Sequence, residues 1–271
     1  MYICPPKLMK SIKHKTIWIT GASSGIGRAL AIAFSKENAQ LILTSRNEKK
    51  LNEVAELCKP AKCFVLPTDL SETKELNQLV KKAMDCTGQI DLLINNAGRS
   101  QRSLAKETDI SIDRQLFELN FFSAIELTKL VMPHMIKRKE GHIAVISSIS
   151  GKFGFPLRTA YAATKHALQG FFESLRAELK EDNIQVSIIS PGRIKTNISL
   201  HALTKDGTSH GEMDPGQENG ISAEKCAKKI VSGIKKNKKE MLIGGKEIIL
   251  VYIHRFLPFL YHRIVNKISA K

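Results

Sequence analysis

The chain has no Cys-x-x-Cys pair. Its five cysteines, Cys4, Cys58, Cys63, Cys86 and Cys226, are odd in number and widely scattered, so neither a disulfide framework nor a zinc site is indicated and no metal is expected. A long apolar run near the start is missing too. Met1 to Lys15 carries Lys7, Lys10, Lys13 and Lys15 and reads neither as a secretory signal nor as a membrane-spanning anchor. The expectation is a soluble body in a reducing compartment, the cytoplasm. Aromatic residues are only 6% of the chain, and no aromatic–basic RNA motif accompanies the run Lys235-Lys236-Asn237-Lys238-Lys239, so no nucleic-acid partner is expected. That run reads instead as the end of a helix, where cations meet the negative end of the dipole. No internal repeat or low-complexity tract stands out.

What is present begins with 271 residues that are 42% hydrophobic, enough for one sizeable core. The formal net charge of +16 favours polyanions, anionic lipid surfaces and phosphorylated substrates, and says nothing about fold. Short β-branched runs recur at Thr16 to Thr20, Leu41 to Thr44, Cys63 to Leu66, Asp91 to Asn95, His142 to Ser147, Gln185 to Ser190 and Met241 to Ile243. Segments long enough for crossover helices lie between them, among them Gly25 to Glu37, Glu72 to Thr87, Ser111 to Arg138 and Thr159 to Glu181. The runs are apolar on both faces, as strands covered by helices on either side must be. The pattern predicts an α/β fold: a doubly wound (Rossmann) seven-stranded parallel sheet with helices on both faces. The expected organisation is a basic N-terminal segment over 1–14, a nucleotide-binding catalytic domain over 15–245, and an apolar, basic tail over 246–271. Residues 197–220 break the rhythm and are too long for an ordinary connection, which suggests a substrate lid.

Thr20-Gly21-Ala22-Ser23-Ser24-Gly25-Ile26-Gly27 ends the first strand and opens a helix. Backbone amides and the helix dipole can receive a pyrophosphate there with no side chain in the way. Downstream stand Asn95-Asn96-Ala97-Gly98, Asn120, Ser148, Tyr161, Lys165 and Pro191-Gly192. In order and spacing this set resembles the short-chain dehydrogenase/reductase family over roughly residues 13 to 245. Tyr161 and Lys165 are four residues apart, so they share a helix face, and the ammonium is expected to favour the phenolate.

The resemblance implies an oxidoreductase whose catalytic residues are Asn120, Ser148, Tyr161 and Lys165. Tyr161 would protonate a carbonyl oxygen during reduction, Ser148 would hydrogen-bond it, and Asn120 would position a water that relays protons to Lys165. Ser148 rather than Ser147 stands at the family's usual interval before the tyrosine. Cofactor contacts are implied for Gly21, Ser23, Ser24, Gly25, Ile26, Gly27, Asp69, Leu70, Asn96, Ala97, Gly98, Tyr161 and Lys165, and for Pro191, Gly192, Ile194 and Thr196 of the Pro-Gly-x-x-x-Thr motif. At the end of the second strand, Ser45-Arg46-Asn47 lacks the acidic residue that binds both ribose hydroxyls. Arg46 therefore points to NADP(H) in preference to NAD(H).

Within the family, Met135-Ile136-Lys137-Arg138, Gly141-His142-Ile143, Gly151-Lys152, Asp206-Gly207, Gly211 and Met213-Asp214 are similar to the dehydrogenase/reductase member 7B type. Animal relatives of that type carry a membrane-spanning N-terminal stretch, for which Met1 to Lys15 shows no counterpart. The resemblance implies a small-molecule carbonyl or alcohol substrate, hydrophobic and lipid-like or phosphorylated, with 3-ketoacyl, 3-ketosphinganine, steroid and xenobiotic carbonyls as alternatives. It also implies a homodimer or homotetramer joined around the helices of Asn120 and Tyr161. Arg193 and Lys195 add charge to the Pro-Gly motif and are expected to face an anionic substrate. The tail alternates apolar blocks with His254, Arg255, His262, Arg263 and Lys267. It is a poor spanning helix that suits either peripheral contact with a membrane surface or a partner subunit.

Overall fold

The computed structural model describes residues 11–265; residues 1–10 of the basic N-terminal segment and 266–271 of the tail, with Lys267, lie outside the described residues. Strands and helices alternate in chain order. They are β1 (Thr16–Thr20), α1 (Gly25–Ser35), β2 (Gln40–Thr44), α2 (Glu48–Leu57), β3 (Cys63–Val65), α3 (Leu76–Thr87) and β4 (Leu92–Asn95), then α4 (Ile110–Phe117), α5 (Ser123–Arg138), β5 (Gly141–Ile146), α6 (Thr159–Glu178) and β6 (Ile184–Pro191). There follow β7 (Ile194–Lys195), α7 (Pro215–Glu218), β8 (Ile221–Ser222), α8 (Ala223–Lys235), β9 (Glu240–Ile243), α9 (Ile249–Phe256) and α10 (Pro258–Val265). The main sheet is seven-stranded in the order β3-β2-β1-β4-β5-β6-β9, and every pairing in it is parallel. The expected strands are all there. The pair β7–β8, too short to register as an apolar run, was not anticipated.

Consecutive residues of each strand bury into opposite layers. Ile17, Ile19, Leu41, Leu43, Leu92 and Ile94 join Leu30, Phe34, Ile230 and Ile234 of α1 and α8. Trp18, Ile42, Leu93, Ile143 and Val145 join Leu79, Leu127, Val131 and Phe172 of α3, α5 and α6. This is why the strands read as continuous apolar runs rather than alternating ones. Each such side chain contributes about 1.5–3 kcal/mol relative to exposure. Trp18 is accommodated because its indole N–H donates to Thr44 Oγ1 at 2.9 Å.

Ser111 to Arg138 is not one continuous helix. A π-helical turn over Glu118–Phe122 separates α4 from α5, and it contains Asn120, which is buried. Such one-turn widenings change which face a residue presents, and they recur at functional sites. The tail also differs from a free appendage. Ile248, Leu250, Val251 and Ile253 pack with Tyr261 against Ile149, Phe153 and Phe155, while Ile249, Tyr252 and Phe256 form an exposed stripe at helical spacing. Among the described residues no helix is long and apolar enough to cross a membrane.

His142 is fully enclosed between β5 and β6, with Nε2 2.8 Å from Ser187 Oγ. Ser187 donates its own proton to Lys238 O at 2.7 Å, so His142 must be the donor through Nε2–H. Its Nδ1 has no partner among the described residues. Burial lowers its pKa from 6.5 to about 4. Over that window the unfolded chain binds a proton that the folded chain refuses, so stability is full above 6.5 and falls as pH drops toward 4. Urea denaturation at stepped pH should show this loss, with a limiting slope of about 1.4 kcal/mol per pH unit. The slope should flatten in His142→Gln.

Candidate active site

The sheet order reverses between β1 and β4, and the crevice that opens there is the expected ligand position in an open α/β sheet. Thr20 Oγ1, at the end of β1, accepts from Asn96 N at 2.9 Å and Ala97 N at 3.0 Å. Asn96 returns the contact, its Nδ2 donating to Thr20 O at 2.8 Å and Gly21 O at 3.3 Å. These bonds hold the turn Gly21 to Gly27 against the end of β4. Gly21 has φ +63° and Gly25 φ +52°, which side chains rarely tolerate. At Gly27 a Cβ would lie 2.2 Å from Gly21 O.

A cavity of about 960 Å³ occupies the crevice. Every catalytic and cofactor-contact residue expected from the sequence lines it except Gly27, which supports the turn from behind, and Asn120, which lies just outside the wall. Tyr161 and Lys165 face it from the first two turns of α6. The two serines after β5 divide their roles. Ser147 Oγ donates to Lys165 O at 3.0 Å and accepts from Gln169 Nε2 at 3.0 Å, which commits it to holding α6. Ser148 Oγ instead accepts from Ser150 N at 3.1 Å and stands beside the Tyr161 phenol. Asn120 staples the strand ends to α6: Oδ1 accepts from Arg99 N at 2.8 Å, and Nδ2 donates to Arg99 O at 2.9 Å and Thr164 Oγ1 at 3.1 Å.

The expected effect of Lys165 on Tyr161 is not what the structure shows. Burial raises the tyrosine pKa; Ser148 and the guanidiniums of Arg102 and Arg158 work against that rise. Lys165 Nζ lies 5.8 Å from the ring centroid and donates to Ile146 O at 2.9 Å. Burial lowers its own pKa to about 8, so desolvation outweighs the shared helix face. Arg102 and Arg158 escaped the sequence reading because no local motif carries them. Arg102 is 112 residues from Asp214, the carboxylate that it pairs with. Gln101 was missed for the same reason: its Oε1 accepts from Ala160 N at 2.9 Å and Tyr161 N at 3.3 Å, capping α6 from outside.

Arg193 and Lys195 are both exposed. Arg193 lines the cavity, its side chain against Gly216, whereas Lys195 is absent from the wall. The main-chain carbonyl of Ile194 accepts from Gln217 Nε2 at 2.8 Å. Residues 197–220 wall the cavity and are sewn to the segment after β4 through Leu203 N–Ser100 O and Arg102 N–Leu203 O, both 2.8 Å. The tail reaches the same cavity with Glu247 and Leu250.

A sequence model described as short chain dehydrogenase matches residues 15–206. The chain belongs to the short-chain dehydrogenase/reductase family. It is 40% identical over 267 residues to dehydrogenase/reductase SDR family member 7B of Mus musculus, covering 96% of this chain and 83% of that one. A short-chain dehydrogenase from Streptomyces avermitilis superposes with a TM-score of 0.80 at 27% identity, covering 95% of this chain and 100% of the other. A family member from Burkholderia phymatum, solved in complex with NAD, shares the fold with a TM-score of 0.82 at 22% identity, over 92% and 96% of the two chains.

As a short-chain dehydrogenase/reductase the protein is an oxidoreductase that uses a nicotinamide cofactor, and the crevice fits a dinucleotide. The glycine turn leaves a cradle that Cβ atoms would fill. The α1 N-terminus carries no side-chain cap from Ser24 and no acidic residue in its first turn, so its amides remain available to a pyrophosphate. Gly27→Ala would drive Cβ into backbone, at an expected cost of about 1–3 kcal/mol. Fluorescence titration should show NADPH affinity at least about tenfold weaker, with the lowered stability read in parallel by urea.

Proposed function

We propose that the protein is an NADPH-dependent carbonyl reductase acting on a hydrophobic ketone, the secondary alcohol serving the reverse reaction. The observation that carries this reading is the buried Tyr161 phenol at the cavity wall, with Ser148 beside it and Lys165 on the next turn of α6. A reduced nicotinamide supplies hydride when bound. Tyr161 gives its proton to the carbonyl oxygen, and its raised pKa keeps that proton in place at neutral pH. Ser148 hydrogen-bonds the same oxygen. Lys165 holds the nicotinamide ribose, and Asn120 positions the water through which protons reach Lys165.

NADP(H) is favoured over NAD(H) by Ser45 and Arg46. The Ser45 hydroxyl is buried with no partner among the described residues, and Arg46 is 60% exposed, tied only loosely to Asp69 at 3.6 Å. A 2′-phosphate would engage both. Ser71 already donates to Asp69 through its amide at 3.0 Å and its hydroxyl at 2.7 Å. That leaves the other Asp69 oxygen, which faces Arg46, to touch the adenine. A hydrophobic substrate is supported by Ile149, Phe155, Leu157, Ile198, Met213 and Leu250 on the wall.

The same reading places the protein in the cytoplasm, peripheral on a membrane. The outward stripe of α9 continues into Leu257 and Phe259, with Phe256 69% and Phe259 65% exposed, and Arg255 and Arg263 stand beside it. Homo-oligomers would form around α4 to α6, where Phe122 is exposed beside Phe121; light scattering of the purified protein measures this.

NADPH oxidation should be followed over a panel of acyl-dihydroxyacetone phosphate, ketoacyl thioesters, ketosphinganine and steroids. Turnover of at least one is expected, falling about 10²–10⁴-fold in Tyr161→Phe. Full activity in that variant would refute the assigned proton donor. For the membrane contact, phosphatidylcholine vesicles containing phosphatidylserine should sediment the protein. Phe256→Ser/Phe259→Ser should weaken this about tenfold or more, and failure of the parent protein to sediment would remove the membrane from the reading.

A further inference from the structure

Arg102, Asp214 and Arg158 meet on the cavity wall beside Tyr161. Asp214 comes from the 197–220 segment, Arg102 from the connection after β4, and Arg158 from the residue that opens α6. Asp214 takes Arg102 in a two-pronged pair, Nε to Oδ1 at 3.2 Å and Nη2 to Oδ2. It also accepts from Arg158 Nη2 at 2.9 Å. One carboxylate thus serves two guanidiniums, and the cluster keeps one positive charge in excess. The Arg102 side chain is 5% exposed and that of Arg158 26%, and a charge left without a counter-ion in a partly enclosed site is unfavourable unless a partner answers it.

The two arginines are not equivalent. Arg102 Nη1 also donates to Ser100 Oγ at 2.8 Å and Gln101 O at 2.6 Å, so nearly all of its N–H groups are engaged. Arg158 has one further contact, a long 3.4 Å bond from Nη1 to Pro156 O. Its Nε–H and second Nη hydrogens have no acceptor among the described residues. Arg102 is the fixed brace and Arg158 the open donor.

We propose that Arg158, braced by Asp214 and Arg102, is the binding site for an anionic group of the substrate, located close to the reacting carbonyl. This rests on the carbonyl-reductase reading and narrows it. Arg158 precedes Tyr161 by three residues, about one helical turn or roughly 5 Å along the axis, so the anion belongs within a few bonds of the ketone carbon. A phosphate monoester or a carboxylate meets the guanidinium fork equally well. An amino-ketone brings its ammonium against the excess positive charge and is disfavoured. A neutral polycyclic ketone leaves that charge unanswered.

The test uses matched ketones that differ only in charge next to the carbonyl: a 2-oxoalkyl phosphate against its free alcohol, and a 3-oxo acid against its methyl ester. For the intact protein, kcat/KM should favour at least one anionic member about 10–100-fold, as expected for a charged hydrogen-bonded contact. The preferred arm identifies phosphate or carboxylate. In Arg158→Gln the ratio of anionic to neutral ketone should collapse toward one, chiefly through KM, and Arg158→Lys should restore part of it. No charge preference in the intact protein, or a preference that survives Arg158→Gln, overturns the proposal. If no ketone turns over, the carbonyl-reductase reading fails. The subsite is then judged by calorimetric titration of NADPH-saturated protein with inorganic phosphate: binding that Arg158→Gln abolishes supports it, and absence of binding overturns it.

Discussion

The hydrogen bonds between Thr20 and Asn96 decide where everything else in the crevice stands. Two neighbouring parallel strands, β1 and β4, send their chains to opposite sides of the sheet, and at that parting neither backbone can satisfy the other by continuing the ladder. The threonine hydroxyl and the asparagine amide close the gap, with four contacts between 2.8 and 3.3 Å. The glycine turn is fixed from one side, and the segment that carries Arg99, Gln101 and Arg102 departs from the other. Through Gln101 that segment reaches the first turn of α6 and hence Tyr161. Cofactor cradle and proton donor are therefore registered to each other through one small polar joint.

The sheet was legible because its signal is local. Leu92-Leu93-Ile94 or Ile17-Trp18-Ile19 announces a doubly covered strand within three residues. The glycine turn, Ser148, Tyr161 and Lys165 were legible through spacing, and the structure brings them to one cavity. The π-turn that holds Asn120 left no trace in periodicity, since a one-residue widening is too slight to disturb an apolar pattern. The β7–β8 pair, two residues a strand, is likewise too short to leave an apolar run. The arginine cluster depends on contacts between residues more than fifty positions apart, which no window along the chain contains.

Electrostatics is where spacing misled most. A lysine one turn from a tyrosine suggests a cation acting on a phenol, yet buried Lys165 directs its ammonium to the Ile146 carbonyl and is itself made less basic. The charges that act on Tyr161 come from Arg102 and Arg158, both anchored by a carboxylate in the segment that walls the cavity. The field at the phenol is thus a property of tertiary structure, and it would change whenever Asp214 moved.

The tail has a consequence of another kind. One face of α9 lies on Phe153 and Phe155, and the turn before it and its start supply Glu247 and Leu250 to the cavity wall. The cavity wall is therefore built from Glu247 and Leu250 as well as from the nucleotide-binding body. Displacing α9 would alter the doorway without touching a catalytic atom. Activity lost when α9 is displaced would reflect access rather than chemistry.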